Sequence, residues 1–328
     1  NHILLDGAGM AVHLHNVIAA AESLRAQQHY LPAPVIYADY VQENLRRTDT
    51  HEVIAHWRNT GRSVEALDFS LPPQHKPATP GQRVERHLRL DDQHWQQLQR
   101  YCEQQRITPS LYFKALYGLL INAYCRGEAD FVVSEVVGGR NGVHRRAFGN
   151  YFQVLPVVFP QDLFKSGRRV DDLFAYIRNY RKSLRGNANV SLLTQRHTLP
   201  QGRLHFMFNY YNFIPTVTLF GTAVQLKAYP QVQNGPVQFV VHEQDGWLEL
   251  NLIYLADLFA DIDFLPRIES LSQQILAGQN SVDQLALTLP QEQNRQRNDW
   301  NATAQALPAF ASVVQWFDAQ ADRTPDQV

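Results

Sequence analysis

Excess charge of either sign is absent from this 328-residue chain. Lysine and arginine together number 30 and aspartate and glutamate 31, which leaves a formal net charge of −1. Proteins that bind nucleic acid or an anionic membrane through their overall field carry a large basic excess. We therefore expect no nucleic-acid or membrane partner, and we expect partners to be recognised by shape and local charge.

Cysteine is scarce, and so are long apolar runs. Cys102 and Cys125 lie on what are predicted to be successive helices and lack the spacing of metal ligands. This usage argues against a disulfide scaffold and predicts a cytoplasmic protein in which both are packing residues. His13 and His15 cannot share one helix face, so we expect no metal site there. No run approaches the roughly 20 apolar residues of a membrane span, and no signal peptide is recognisable.

Apolar and aromatic residues are plentiful, at 45% and 11% of the chain. Helical spacing predicts helices over residues 10–28, 35–45 and 50–58. The closely spaced prolines within residues 71–81 exclude helix and sheet interior, and they predict an extended linker between two structural units.

Helices and strands alternate after that linker. The pattern predicts strands over 82–90, 130–137, 149–159, 204–213, 216–228, 237–243 and 247–255, and helices ending near 105, 124, 184 and 277. Asp245-Gly246 predicts a hairpin turn. This order indicates an α/β unit with a mixed sheet. Residues 290–308 are polar and predict an irregular linker, and an amphipathic element begins near 311.

The first seven residues, NHILLDG, hold the candidate chemistry. Three aliphatic residues predict a short buried strand, and Asp6-Gly7 supplies a turn and a helix N-cap. His2 would then lie at the strand end, beside a carboxylate, which suits proton handling or orientation of a nucleophile. An ordinary buried histidine with a capping aspartate is the alternative.

A second candidate is the glycine-rich loop that follows the strand at 130–137. Residues 138–142 read GGRNG and lack both the Lys-Ser/Thr of a P-loop and the dinucleotide-binding spacing. We therefore interpret the loop as a tight turn that places Arg140, and not as a phosphate cradle.

Several motifs, taken in chain order, resemble the condensation domain of a nonribosomal peptide synthetase. The opening resembles the HHxxxDG motif, with Asn1 replacing its first histidine. His56-Trp57, residues 132–140 (VVSEVVGGR) and residues 149–156 (GNYFQVLP, with Gln153 replacing an asparagine) resemble further family motifs. Residues 300–304 (WNATA) resemble the linker before an adenylation domain, and residues 317–326 resemble the start of one.

The resemblance implies an α/β fold of the two-lobe, chloramphenicol-acetyltransferase-like type, with mixed sheets flanked by helices. Residues 1–80 would be the end of the N-terminal lobe, 81–289 the C-terminal lobe, 290–310 a linker and 311–328 the start of an adenylation domain. A tunnel between the lobes would admit carrier-bound substrates. Because most of the first lobe is not in the sequence, we expect this segment alone to be inactive.

The resemblance also implies roles for individual residues. His2 would accept a hydrogen bond or a proton from the attacking amine, and Gly7 would offer a backbone N–H at a helix start. Asp6 would hold the turn before the first helix in place by pairing with Arg140. The candidates for lining the tunnel are Asn1, Gln153 and Asn209.

The implied reaction forms an amide from two tethered substrates. The amine of a carrier-bound aminoacyl group would attack an upstream carrier-bound acyl or peptidyl thioester. The implied partners are donor and acceptor carrier domains, which carry the substrates on phosphopantetheine, and a downstream adenylation domain in the same chain; the domain itself would bind no cofactor. Two alternatives remain: a noncatalytic carrier-docking platform, and a starter-type domain that transfers a nonpeptidyl acyl group.

Overall fold

The computed structural model describes residues 5–31, 37–64, 81–124, 129–140, 142, 144, 147–199, 206–212, 216–225, 237–244, 246–257, 259, 263–304 and 312–325. The chain forms two compact units, Asn1–Leu287 and Thr288–Val328. No helix within the described ranges is long and apolar enough to cross a membrane. The proposed division into lobes near residue 80 stays a prediction.

The part of the chain described before the sheet contains three helices, and they confirm the three predicted ones. They are α1 (Gly7–Arg25), α2 (Tyr37–Arg47) and α3 (His51–Thr60). The side chains of Asp6 and Thr50 cap α1 and α3 by accepting a backbone N–H of the first turn. The linker predicted over residues 71–81 lies outside the described residues, apart from Gly81.

The centre of the first unit is a six-stranded mixed sheet. Its strands are β1 (Arg83–Leu90), β2 (Phe131–Gly138), β3 (Phe152–Phe159), β4 (Phe206–Tyr211), β7 (Val237–Gln244) and β8 (Trp247–Leu255). Their order is β1-β8-β7-β4-β2-β3. The β7–β4 and β4–β2 pairs are parallel and the others antiparallel, and the predicted hairpin joins β7 to β8.

Helices cover one face of this sheet. They are α4 (Asp92–Gln105), α5 (Pro109–Tyr124) and α8 (Phe264–Leu276), while α6 (Val170–Leu184) and α7 (Leu192–Thr198) follow β3. The sequence predicts that α5 is buried nearly all round, and its residues 112–121 are all buried. Cys102 is buried in this core as predicted; Cys125 lies outside the described residues.

One strand prediction is wrong. Residues 216–228 were expected to form a single strand, yet the chain turns back between β5 (Thr216–Leu219) and β6 (Thr222–Gln225), which pair with each other. Phe220 and Gly221 both adopt positive φ, 50° and 82°. Two consecutive residues in this region form the tight hairpin turn that matches strand twist, and apolar alternation does not reveal it when the first is a phenylalanine.

The expectation of irregular structure over residues 290–308 is also wrong at its start. The second unit contains α9 (Pro290–Asn294), which continues as a π-helical turn to Asp299, and later α10 (Val313–Arg323). Glu292 accepts the backbone N–H of Leu289 at 2.8 Å, and proline occupies the first helical position, so local capping outweighs the polar composition.

Candidate functional site

Asp6 joins the start of α1 to two distant segments of the first unit. Its side chain is 9% exposed. Oδ1 accepts the Gly9 N–H at 2.6 Å and the Arg140 Nη2 at 2.7 Å, and Oδ2 accepts the Tyr151 N–H at 2.9 Å. Residues far apart in the chain therefore meet at one carboxylate, and we call the group Asp6, Gly9, Arg140, Gly149 and Tyr151 the corner.

Arg140 fills the middle of the corner, and its side chain is 10% exposed. Besides Asp6, the guanidinium donates to the carbonyls of Gly149 at 2.8 Å, His144 at 3.4 Å and Ala147. It also lies over the Tyr151 ring, 4.3 Å from the centroid. The guanidinium thus donates to one carboxylate and three carbonyls. These hydrogen bonds hold the turn after β2 in a single geometry.

Gly9 is a corner residue that the sequence reasoning missed. A Cβ on Gly9 would lie 2.5 Å from the Gly149 oxygen, 2.9 Å from Arg140 Nη2 and 3.1 Å from Asp6 Oδ1. Glycine inside a helix is less stable than alanine. A glycine in the first turn of an otherwise apolar helix is therefore the sequence signal that could have pointed to a close contact at this position. A side chain at position 9 would therefore clash with the Arg140 turn, so the first turn of α1 can lie this close to it because the residue is glycine.

Aromatic side chains from α2 pack on the corner, and they too were missed. The rings of Tyr37 and Tyr40 lie 5.1 and 4.4 Å from that of Tyr151, and His144 lies 5.5 Å from Tyr40. Burial raises the pKa of all three phenols, so at neutral pH each keeps its proton and can donate a hydrogen bond.

The structure places the predicted site residues unevenly. Asp6 and Arg140 meet, as described above. His2 and Asn1 lie outside the described residues, so their roles stay predictions. Gly7 is exposed and is the first residue of α1, a position whose N–H has no carbonyl partner within the helix.

Gln153 and Asn209, predicted to line one tunnel, lie on opposite faces of the sheet. In the register, Glu135 is opposite Leu155 on β3 and Phe208 on β4, and these side chains share the helix-covered face. Because side chains alternate along a strand, Gln153 also lies on that face and Asn209 on the other. Gln153 is 3.4 Å from Asn44 of α2, and Asn209 is buried.

A second buried ion pair, also missed, lies under the sheet. Lys114 of α5 contacts Glu135 of β2 at 2.5 Å, and both side chains are 6% exposed. Arg181 of α6, 55% exposed, reaches the same Glu135 oxygen at 3.0 Å. Burial lowers the pKa of Lys114, and the adjacent carboxylate opposes that shift.

The corner can orient groups. Both Asp6 oxygens already accept N–H donors, and one of these donors is a guanidinium. Among the residues that the structure describes, no group of three or more His, Cys, Asp or Glu side chains could hold a metal ion.

The comparisons with known proteins identify the class. The family model "Condensation domain" matches residues 1–296, so the chain belongs to the condensation domain family. The predicted family and the α/β fold with a mixed sheet flanked by helices are thereby confirmed.

Among relatives, the chain is 26% identical to a subunit of the linear gramicidin synthase of Brevibacillus parabrevis, over 100% of this chain and 7% of that protein. It is 23% identical to bacitracin synthase 3 of Bacillus licheniformis, over 99% of this chain and 5% of that protein. The chain thus spans less than a tenth of the length of these synthases.

Among solved structures, the chain resembles the first condensation domain of the calcium-dependent antibiotic synthetase in complex with a substrate analogue, with a TM-score of 0.67 and 16% identity. That match covers 87% of this chain and 65% of the other. It also resembles the X-domain from teicoplanin biosynthesis, with a TM-score of 0.68 and 18% identity, over 87% and 70% of the two chains.

Proposed function

We propose that this chain is the part of a condensation domain that forms an amide bond in nonribosomal peptide synthesis. The observation that carries the proposal is the corner: the Asp-Gly of the opening motif begins a helix, and its carboxylate is held by Arg140 and Tyr151. This occurs in a chain that the family model matches over residues 1–296.

In the proposed reaction, the α-amine of a carrier-bound aminoacyl group attacks the carbonyl carbon of an upstream acyl or peptidyl thioester. The C–N bond forms, the C–S bond breaks, and the leaving sulfur ends as a thiol with the proton that the amine gives up. The thioester is already activated, so holding two tethered substrates together supplies much of the rate.

The proposed roles combine the opening motif of the sequence with the geometry of the corner. His2, four residues before Asp6, accepts a hydrogen bond or the proton from the amine. The Gly7 N–H, at the start of α1, is available to the oxygen on which negative charge develops. Asp6 and Arg140 hold the first turn of α1 in place against the segment at Tyr151.

The proposed partners are a donor and an acceptor carrier domain, whose phosphopantetheine arms bring the substrates, and an adenylation domain downstream. We propose no cofactor for this domain itself. The similarity to parts of large synthases supports a multidomain setting for the chain.

The test is amide formation in the longer polypeptide that contains this chain, with loaded donor and acceptor carriers. We expect His2→Ala to abolish most product while the melting temperature is unchanged. His15→Ala is the matched control, since His15 is an exposed histidine on α1. Equal rates for wild type and His2→Ala would overturn the assignment of His2, and absence of product from the wild type would overturn the reaction.

A noncatalytic platform that recruits other proteins is the second candidate. One similar structure is a complex of the X-domain and OxyB from teicoplanin biosynthesis, with a TM-score of 0.67 and 18% identity. Asn1 and Gln153, which depart from the family motifs, favour this candidate mildly. A wild type that binds loaded carriers without forming product would support it, whereas product made from a nonpeptidyl acyl donor alone would support a starter-type domain.

A further inference from the structure

Besides its ring contacts with Tyr151, helix α2 donates a hydrogen bond to the segment 149–151, which contains two of the corner residues. The Tyr37 hydroxyl donates to the Asn150 carbonyl at 2.5 Å. The two neighbours of Asn150 both bind the ion pair: the Gly149 carbonyl accepts from Arg140, and the Tyr151 N–H donates to Asp6. Three consecutive residues, 149–151, are thus anchored from two sides.

The Tyr37 ring also limits where this segment can move. Gly149 has φ of +147°, and a Cβ there would lie 2.4 to 2.9 Å from three atoms of the Tyr37 ring. The ring therefore packs directly on the Gly149 backbone. It also meets the Tyr151 ring edge-on, with centroids 5.1 Å apart.

We propose that Tyr37 is a positioning residue for the reaction, a role that rests on the proposed function. It touches no reacting atom. Its hydroxyl and ring hold residues 149–151 at the distance from α1 at which Asp6 binds both Arg140 and the Tyr151 N–H. A shift of this segment would move Asp6, which caps the first turn of α1, and with it the Gly7 N–H that is proposed to contact the developing negative charge.

The chain offers a matched control for removing one phenol hydroxyl. Tyr176 of α6 donates its hydroxyl to the Val158 carbonyl at 2.7 Å. Val158 lies on β3, the strand that follows segment 149–151, but far along it from the corner. Tyr37→Phe and Tyr176→Phe therefore each delete one hydroxyl bonded to a backbone carbonyl, near the corner and away from it.

The first test compares single-turnover amide formation by the two variants in the longer polypeptide with loaded carriers. We expect Tyr37→Phe to lower the maximal rate roughly 10-fold, because a small misplacement at a reacting centre has a large effect on rate. The carrier concentration giving half the maximal rate should stay within about twofold, since carriers do not dock on Tyr37 in this proposal. Tyr176→Phe should leave the rate unchanged.

The second test needs no turnover, and it separates this proposal from the proposed reaction. Melting temperatures are measured for Asp6→Asn, Tyr37→Phe, Tyr176→Phe and the two double variants containing Asp6→Asn. If Tyr37 acts through the corner, the loss for Asp6→Asn with Tyr37→Phe is smaller than the sum of the single losses, whereas Asp6→Asn and Tyr176→Phe add.

Three results would each overturn the role of Tyr37. They are an unchanged rate for Tyr37→Phe, an equal rate loss for both phenylalanine variants, and additive shifts in melting temperature for Asp6→Asn and Tyr37→Phe. A wild type without product would overturn the proposed reaction, and the melting temperatures alone would then decide whether Tyr37 holds the corner.

Discussion

Two buried ion pairs in the first unit look alike in distance and burial, yet they are built differently. Asp6–Arg140 measures 2.7 Å and Lys114–Glu135 measures 2.5 Å, and all four side chains are at most 10% exposed. The first pair is surrounded by backbone N–H and C=O partners from three segments. The second pair joins α5 to β2 through side chains, with the Phe208 ring and the Arg181 side chain beside it.

The Asp6–Arg140 pair therefore sets the relative positions of backbone segments, whereas the Lys114–Glu135 pair is part of the packing between α5 and β2. Around Asp6 and Arg140 each bond fixes the position of one backbone segment relative to another. Around Lys114, the neighbouring Phe208 ring lies 5.7 Å from the ammonium, and one Glu135 oxygen has no hydrogen-bond partner among the described residues. Substitutions in the two pairs should therefore have different consequences.

The largest effect is expected for Lys114→Met. Removing Lys114 leaves the buried Glu135 carboxylate with the half-exposed Arg181 as its remaining ion-pair partner among the described residues. We expect the unfolding free energy in urea to fall by about 3 to 5 kcal/mol, as when a buried pair is broken. Replacing both, Lys114→Met with Glu135→Leu, should recover most of that loss, because an apolar pair of similar volume is close to neutral. A single-variant loss below about 1 kcal/mol would show that Arg181 suffices to neutralise Glu135.

Asp6→Asn should have the next largest effect on stability, with a further effect on activity. Arg140 loses its carboxylate partner but keeps three carbonyl acceptors. We therefore expect the unfolding free energy to fall by about 1.5 to 3 kcal/mol, the range for a hydrogen bond to a charged group. Amide formation should fall with it.

Asp91→Asn is the control for that experiment, because Asp91 caps α4 and accepts the His94 N–H at 2.8 Å at an exposed position. Asparagine caps as well as aspartate, so little change is expected. An Asp6→Asn variant that is inactive yet as stable as wild type would contradict a structural role for Asp6.

Gly9→Ala tests how closely α1 approaches the Arg140 turn. The added methyl would meet the Gly149 carbonyl oxygen at 2.5 Å, and we expect a loss of about 2 kcal/mol in thermal or urea unfolding, typical of overpacking. Gly7→Ala is the matched control, since a Cβ there has nothing within 4 Å. Equal stability of the two variants would mean that the backbone around Gly9 can shift to accept a methyl group with no loss of unfolding free energy.

The smallest effect is expected for Arg181→Gln. Arg181 is 55% exposed and adds a second cation to a carboxylate that Lys114 already pairs. We expect a loss of at most about 1 kcal/mol, shrinking at high salt, as for other exposed ion pairs. A loss of unfolding free energy as large as that of Lys114→Met would instead show that Lys114, Glu135 and Arg181 act together as a triad.

Most elements of the fold were predictable from local patterns. Helices α1 to α6 and strands β1 to β4 follow from apolar spacing, capping residues and turn residues, since these act over a few residues along the chain. The exceptions have local causes as well: Phe220-Gly221 forms a turn that phenylalanine rarely allows, and Pro290 with Glu292 starts a helix in a polar stretch. Family membership likewise followed from motifs in chain order.

The candidate site could be predicted only in part. The pairing of Asp6 with Arg140 was predicted because a buried carboxylate needs a cationic partner, and the glycine-rich turn after β2 supplies an arginine. Gly9, Tyr37, Tyr40 and Tyr151 were not foreseen, because each acts through a neighbour far away in sequence or through the closeness of two backbones.

The amino-acid sequence by itself determined most of the helices and strands, which residue caps α1, and the family to which the chain belongs. Only the tertiary structure decided which contacts surround the Asp6 carboxylate and that Gln153 and Asn209 lie on opposite faces of the sheet. The physical reason is that periodicity and capping are local along the chain. Strand register, and the packing of α2 on the segment before β3, depend on pairings between distant residues.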